Sequence, residues 1–362
     1  MFEIIIGIGA LLVLLIIYMI FRVFTLMNVV KGNDKNQDDE RVSVNNKINA
    51  WMFMAVLFLG FGLFFWYSYT RFDEYVLPVA SVHGIEYESI FWITTAVTGI
   101  VFVLTHILLF YFPFRYRFKN DAKALFYPDN TKLEIAWTII PAIVLSILVF
   151  SGWRVWSDIT EKAPDNAEVV EIVGYQFAWA VRYPGQDKQL GDFDFRLIDA
   201  ENQLGMDFTD KASFDDFIPQ ELHIPKGQPV LFKIRARDVL HSVFVPHFRL
   251  KMDAVPGMPT RFWFTPTKST AEMRAELNDP EFNYELACTE VCGRGHFSMR
   301  FIIVVDEPEE YAKWYAEQAS WLSQNEEYLA KIPVELREVA MISAGIEDKT
   351  KKEIKEEVKA SF

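Results

Sequence analysis

Cys288-Thr289-Glu290-Val291-Cys292-Gly293-Arg294-Gly295-His296-Phe297-Ser298-Met299 holds the only two cysteines of the 362-residue chain, together with an imidazole and a thioether. Two soft sulfurs, a nitrogen and a weak soft donor are the ligand types that copper prefers. A second imidazole, His241, stands upstream in Asp238-Val239-Leu240-His241-Ser242. One Cys with two His and a distant Met would suit a mononuclear electron-transfer copper. Two Cys four residues apart can instead bridge a pair of coppers, each ion taking one His, with Met299 as a weak ligand. Sharing one electron over two metals spreads the structural change on reduction and suits fast transfer. A disulfide between these cysteines would close a very short loop and stabilise little. Structural zinc usually takes a tight C-x2-4-C with H-x3-5-H, so Met299 and the distant His241 fit copper better. His83, His106, His223 and His247 have no comparable neighbourhood and read as ordinary surface or packed histidines.

The order C-x-E-x-C-G-x-x-H-x-x-M, preceded by D-V-x-H-S and by K-x-D-A-x-P-G at Lys251, Asp253, Ala254, Pro256 and Gly257, resembles subunit II of cytochrome c oxidase over roughly residues 90–305. The resemblance implies a binuclear CuA centre in which Cys288 and Cys292 bridge the coppers and His241 and His296 give one nitrogen each. Met299 would ligate one copper and the backbone carbonyl of Glu290 the other. The Glu290 side chain would face the partner subunit and help hold a magnesium or manganese ion. Asp238, Ser242 and Asp253 would stand behind the ligands, with Asp238 and Ser242 orienting His241. The implied activity is electron relay: a separate cytochrome c delivers electrons to the copper pair, which passes them to haem in subunit I. Oxygen reduction to water and proton pumping occur there, with subunit III as a further partner.

Gly174-Tyr175-Gln176-Phe177-Ala178-Trp179 is similar to that family's aromatic stretch G-H-Q-W-x-W, whose first Trp marks the electron input beneath the docked cytochrome. Here that position is Phe177, which keeps a stacking surface but loses the indole nitrogen, so Tyr175, Phe177 and Trp179 are the candidates for electron input. An aromatic stripe on a strand equally reads as core. Met258 replaces the Arg of the family's P-G-R, which leaves that Arg's contact open.

Apolar residues make up 51 % of the chain and concentrate in its first 155 positions, the pattern of a membrane anchor followed by a water-exposed domain. The runs Ile4–Met27, Trp51–Tyr69, Ile90–Phe112 and Ile135–Val155 each reach the roughly 20 residues that span a bilayer. The first lacks the basic start and small-residue cleavage site of a signal peptide and reads as an uncleaved helix. Arg22, Lys31, Lys35, Arg41 and Lys47 follow the first run, and Arg115, Arg117, Lys119, Lys123 and Lys132 follow the third; only Arg71 stands between the second and third. The positive-inside rule puts both basic loops and the amino terminus in the cytoplasm and everything after Trp156 outside. The last two helices match the family's hairpin, whereas the first two are additional. Glu134 opens the fourth helix in an E-x-x-W-T-x-x-P pattern. The helix dipole explains a carboxylate there, and the resemblance offers a second reading, the mouth of a proton-uptake path.

Beyond Asp158, Glu168–Tyr183 alternates as a strand, and short runs recur at Glu221–Ile224, Val230–Arg235, Ser242–Val245, Arg261–Phe264, Asn283–Ala287 and Met299–Val305. Asp187–Asp216 is acidic and reads as an inserted, solvated loop; it also suits long-range attraction of a basic donor. Pro308–Ile332 turns helical, and Lys349–Lys359 reads as a solvated helix or disorder. The expected architecture is a membrane-anchored α + β chain: an extra helix pair (1–75), the transmembrane hairpin (76–157), an external cupredoxin-like Greek-key β-sandwich (158–306) and a helical charged C-terminal tail (307–362). Its place is the bacterial inner (cell) membrane, multi-pass among lipid, with the copper domain on the periplasmic side.

A net charge of -13 argues against nucleic acid as partner. No C-x-x-C-H occurs, so no haem is covalently attached and the donor is a separate molecule. Rival readings are a membrane-tethered copper carrier or sensor, which Glu134 and the hairpin pattern oppose, and a quinol-oxidase subunit II, which lacks the copper ligands present here. Nitrous oxide reductase uses such a copper centre too, but four membrane helices fit it poorly.

Overall fold

The computed structural model describes residues 2–30, 44–119 and 122–346. Lys31, Lys35 and Arg41 of the first basic loop, and the charged tail from Lys349 to Lys359, lie outside the described residues. The apolar runs extend at both ends into longer helices: α1 (Phe2–Val30), α2 (Val44–Thr70), the single turn α3 (Phe72–Tyr75), α4 (Val82–Arg115) and α5 (Thr131–Thr160). The helices α2, α4 and α5 are long and apolar enough to cross a membrane, and α1 contains the apolar stretch Leu11–Met27.

Two compact units divide the chain. In the first, residues up to Tyr69 join Ile100–Asn130, so that α2 lies along the second half of α4. The contact is aromatic: Trp51 meets Phe114 edge-on with ring centres 4.8 Å apart, and Phe61 and Phe64 both meet Phe102, at 5.7 and 5.5 Å. Between lipid-bathed helices such packing replaces the hydrophobic drive that water would supply. The run of Phe residues in α2 supplies it.

The second unit takes Thr70–Gly99 and everything from Thr131 onward. Its strands β1 (Glu168–Tyr175), β2 (Ala178–Arg182), β3 (Leu222–Pro225), β4 (Val230–Ala236), β5 (His241–Val245), β6 (Leu250–Ala254), β7 (Thr260–Phe264), β8 (Tyr284–Cys288) and β9 (Arg300–Asp306) form two sheets, ordered β2-β1-β4-β7 and β3-β9-β8-β5-β6. Alternate residues of facing strands, among them Val170, Ile172, Phe232, Ile234, Val243, Leu286 and Ile303, fill the space between the sheets and are fully buried. The helix α6 (Thr270–Leu277) starts at Ser269 with a capping box to Glu272.

Four expectations change. The predicted strand Glu168–Tyr183 is a hairpin, β1 and β2 turning at Gln176-Phe177 and paired Tyr175 to Ala178. His241 is the first residue of β5 rather than a residue before it. β6 was not foreseen; its Lys251 and Asp253 interrupt any apolar run.

The fourth change is the acidic segment, which is no solvated loop. Its Leu204, Met206, Phe208 and Phe214 are buried in a second core with Val173, Leu322, Tyr328, Ile332 and Ala340. The last four come from the C-terminal extension, which is a succession of short elements: α7 (Pro308–Ala316), α8 (Trp321–Gln324), 3-10 turns at Glu326–Lys331 and Val334–Leu336, and α9 (Arg337–Ser343). Insertion and extension thus bury each other and cover the outer side of β1, which explains why Glu171 and Val173 are as buried as Ile172.

Under this cover lies an ionic knot. Glu171 takes the Nε atoms of Arg182 and Arg235, each at 2.8 Å, and Arg182 also reaches Asp216 at 3.2 Å. Burial opposes ionisation of Glu171, yet the two guanidiniums overcome it and hold its carboxyl below the usual range. Asp216 is fully buried, and burial outweighs its share of Arg182, pushing its carboxyl up to about 8.

Candidate metal centre

The site is built where three segments meet at one end of the sandwich. β8 ends on Cys288 and β9 begins after Met299, so the quoted stretch is the loop joining two antiparallel neighbours. The loop is tied at its base, the Cys288 amide donating to the Met299 carbonyl at 3.2 Å and the Thr289 amide to the Ser242 carbonyl at 3.2 Å. β5 pairs with β8, Val243 opposite Cys288, which brings His241 to the sulfur from far away in sequence. His296 opens a 3-10 turn, His296–Ser298, that folds the loop back toward Cys292.

The donor atoms form a nearly symmetric chain. His241 Nδ1 lies 3.9 Å from Cys288 Sγ, the two sulfurs are 4.0 Å apart, and His296 Nδ1 lies 3.6 Å from Cys292 Sγ. The Glu290 carbonyl flanks Cys288 Sγ at 3.3 Å, and Met299 Sδ flanks Cys292 Sγ at 3.3 Å. His241, Cys288 and Cys292 place ligand atoms within 4.8 Å of one another, and both cysteines are free thiols. His241 and Met299 are shielded from solvent, while His296 is half-buried and nearer the surface.

The residues fit copper. Burial, and then the neighbouring Cys288, push the Cys292 thiol up to about 11; two thiolates this close need a cation between them. The set combines two sulfurs, two imidazoles, a thioether and a carbonyl, which suits copper and leaves magnesium or calcium without their oxygen ligands. Asp238 Oδ1 accepts from His241 Nε2 at 2.9 Å, which fixes the ring so that the Nδ1 lone pair faces Cys288. Burial opposes ionisation of Asp238, but the Gln176 amide, His241 and the Val239 amide together lower it. Ser242 turns away: its hydroxyl donates to Asp253 at 2.7 Å, not to His241, and that bond, despite burial, with Lys251 lowers Asp253.

The β1–β2 hairpin closes the site. Phe177, 40 % exposed, lies against Gly293 and Gly295; a Cβ on Gly295 would come 2.5 Å from the Phe177 ring. Gly293 has φ +132, a conformation open to glycine. Trp179 is buried, its ring 5.8 Å from that of His241, and Gly174 leaves room for both. Tyr175 points elsewhere, under the Arg237 guanidinium at 4.2 Å. Gln176 went unremarked among the aromatics, yet its amide donates to Asp238 Oδ2 at 2.7 Å and its side chain to the Cys292 carbonyl at 2.6 Å. Its place in the G-Y-Q-F-A-W stretch was the available signal. Glu290 is half-buried, and Glu134 is exposed in the first turn of α5, apart from this centre.

A membrane-anchored β-sandwich with a Cys2His2Met cluster formed by the β8–β9 loop and His241 of β5 defines a copper-binding domain of the cupredoxin-like class. A family model described as cytochrome c oxidase subunit II, periplasmic domain, matches residues 168–306, and the transmembrane domain of the same subunit matches residues 76–155. The chain belongs to the cytochrome c oxidase subunit II family. It is 34 % identical over 249 residues to an alternative cytochrome c oxidase subunit 2 of Bradyrhizobium diazoefficiens, covering 67 % of this chain and 84 % of the relative. Against cytochrome c oxidase subunit 2 of Cereibacter sphaeroides it is 28 % identical over 260 residues, 68 % of this chain and 78 % of the relative. The crystal structure of the periplasmic domain of subunit II of Bradyrhizobium japonicum cytochrome oxidase matches at 23 % identity with a TM-score of 0.29, over 44 % of this chain and 95 % of that one. The chain is therefore the electron-accepting subunit of an oxidoreductase complex, anchored in a membrane and carrying a periplasmic copper domain.

Proposed function

We propose that a copper pair would be held by the Cys288 and Cys292 thiolates, by Nδ1 of His241 and of His296, and by Met299 and the Glu290 carbonyl at the two ends of the cluster. The near-symmetric series of distances, 3.9, 4.0 and 3.6 Å along His241, Cys288, Cys292 and His296, carries this reading. When bound, the copper pair supplies a one-electron carrier whose charge is spread over two metals. The protein's part is to hold six donors before the metal arrives, so that little moves when charge changes. Asp238 fixes the tautomer of His241, and Gln176 pins the loop carbonyl of Cys292 to the hairpin.

In this reading a cytochrome c docks over Phe177 and the exposed loop residues Val291 and Phe297. Phe177 is the point of electron input, since it is exposed and touches the ligand loop; Trp179 supports His241 from within, and Tyr175 has no part in the path. Electrons leave toward haem in subunit I, where oxygen is reduced and protons are pumped, with subunit III alongside. The Glu290 side chain, half-buried beside the centre, lends a carboxylate to a magnesium or manganese ion at the subunit I boundary. Glu134 collects protons at the cytoplasmic start of α5. All four long helices span the bacterial inner membrane with the amino terminus inside, and the segments 1–75, 76–157, 158–306 and 307–362 act as helix pair, hairpin, copper domain and charged tail.

The test is stopped-flow reduction of the copper-loaded, full-length protein by reduced cytochrome c. Bleaching of the copper band that is second order and slows with salt supports the reading. Rapid reduction by a quinol with none by cytochrome c contradicts it.

A further inference from the structure

The outer side of the β2-β1-β4-β7 sheet carries a straight row of ionic side chains. Arg182, Glu171, Lys233 and Arg261 stand directly opposite one another across the four strands. Arg235 lies two residues along β4 from Lys233, on the same side. The two ends of the row differ. Glu171 is saturated by guanidiniums, its Oε1 taking Arg235 Nε at 2.8 Å and its Oε2 taking Arg182 Nε at 2.8 Å and Arg235 Nη2 at 3.2 Å.

At the other end Lys233 and Arg261 are two exposed cations facing each other across a strand pair, an arrangement that destabilises a sheet unless something neutral or negative intervenes. Among the described residues neither has a carboxylate at ion-pair distance; Arg261 bonds only the Thr160 carbonyl, at 3.2 Å. A cavity of about 450 Å³ opens over them, lined also by Arg235, Arg182 and Phe193 and by two carboxylates, Asp192 and the guanidinium-paired Glu171, so that its cations outnumber its anions. That size lies in the range of small-ligand sites, roughly 300–1,000 Å³. Arg235 is held 3.9 Å over the Phe193 ring, so this cation is fixed rather than free to fold away. A positive cavity in a chain of net charge -13 runs against the composition.

Its location identifies the source of an anion. Arg261 and Trp263, whose Nε1 donates to the Asp158 carbonyl at 2.8 Å, clasp the last turn of α5. The apolar run of α5 ends near Val155, and five more helical residues rise about 8 Å, close to the ~5–8 Å depth of one headgroup layer.

We propose that Lys233, Arg261 and Arg235 form a binding site for a phosphate group, supplied by an anionic phospholipid of the leaflet from which α5 emerges. The two Nη groups of Arg261 match a pair of phosphate oxygens and the lysine adds a point charge, while Arg235, whose Nε and Nη2 are committed to Glu171, contributes its charge from the cavity wall. The bound phosphate separates the Lys233 and Arg261 charges and ties the copper domain to the bilayer surface at the root of its anchor.

The experiment uses the full-length protein in detergent micelles and follows its thermal midpoint while phosphatidylglycerol, phosphatidylcholine or inorganic phosphate is titrated in. Phosphatidylglycerol raises the midpoint of the native protein, phosphatidylcholine does not, and the double variant Lys233→Gln, Arg261→Gln needs about tenfold or more higher phosphatidylglycerol for each charge removed. Lys313→Gln, a surface cation outside the cavity, leaves the titration unchanged, and Lys233→Arg retains it. A full shift with inorganic phosphate alone keeps the anion site and makes free phosphate its occupant. Equal response of the double variant and the native protein, or equal response to both lipids, overturns the proposal.

Discussion

Replacing Asp238 by Asn separates the positioning of His241 from the identity of the ligands. Asp238 uses both oxygens: Oδ2 takes the Gln176 amide at 2.7 Å, while Oδ1 takes the Val239 amide at 2.7 Å and His241 Nε2 at 2.9 Å. Asparagine has one oxygen, so its NH2 group must confront either the hairpin amide or the imidazole N–H. One orientation loses the Gln176 bond and the other loses both the Val239 and His241 bonds, so either the Gln176 turn or the His241 ring is released, and the bonds that remain lose their charge assistance. Loss of a carboxylate behind a metal-bound histidine weakens metal binding about 10- to 100-fold, or roughly 1.4–2.7 kcal/mol. Competition of the copper-loaded, full-length protein against graded chelators measures this, with circular dichroism to show that the sandwich remains folded. A folded Asp238→Asn protein that retains copper within about twofold of the native protein refutes the role given to Asp238.

Asp216 and His247 make stability depend on pH in opposite senses. Asp216 titrates near 8 in the fold, so it keeps a proton that the unfolded chain releases; its contribution is present below about pH 4 and is lost as pH rises through 8, at up to about 1.4 kcal/mol per pH unit. Burial, with Arg249 nearby, depresses His247 to about 4, so its contribution is present above about pH 6.5 and is lost as pH falls toward 4. The two nearly cancel between pH 4 and 6.5, leaving a decline in thermal midpoint from pH 6.5 to 8 that Asp216→Asn removes; an unchanged slope rejects the assignment. Phe177→Ala slows reduction by cytochrome c severalfold or more while leaving the copper spectrum intact; a normal rate excludes Phe177 as the input. Leu322→Ala, at a fully buried position in the second core, costs about 2–5 kcal/mol; a midpoint within a degree of the native protein would mean that insertion and extension do not support each other. Glu134→Gln leaves copper binding unchanged and slows proton uptake in the assembled oxidase, measured with a pH-indicating dye; unaltered uptake returns Glu134 to a helix-dipole role.

What could be read from the sequence was local. The loop Cys288–Met299 carries most of the proposed ligands within one turn-rich segment, and the long apolar runs mark helices by length alone. Distant partners were harder. His241 joins the site through the pairing of β5 with β8, a register that no single stretch encodes. The β1–β2 turn was missed because aromatic alternation continues through Tyr175, Phe177 and Trp179 while the chain reverses at Gln176-Phe177. β6 was missed because Lys251 and Asp253 face solvent and leave only Leu250, Met252 and Ala254 as signal. The acidic insertion misled most. Its charges dominate the pattern, whereas the apolar residues that matter are scattered and find their partners, Leu322 and Ile332, more than a hundred residues away. The role of Asp216 and Arg182 beneath that cover is visible only in three dimensions.

The central claim is that this one loop and His241 hold two coppers that share a single electron. Copper analysis with electron paramagnetic resonance of the full-length, copper-loaded protein tests it directly. The account predicts two coppers per chain and the many-line hyperfine pattern of one unpaired electron delocalised equally over two copper nuclei. One copper per chain with the simple pattern of a single nucleus, or a chain that takes up no copper with its thiols reduced, contradicts it.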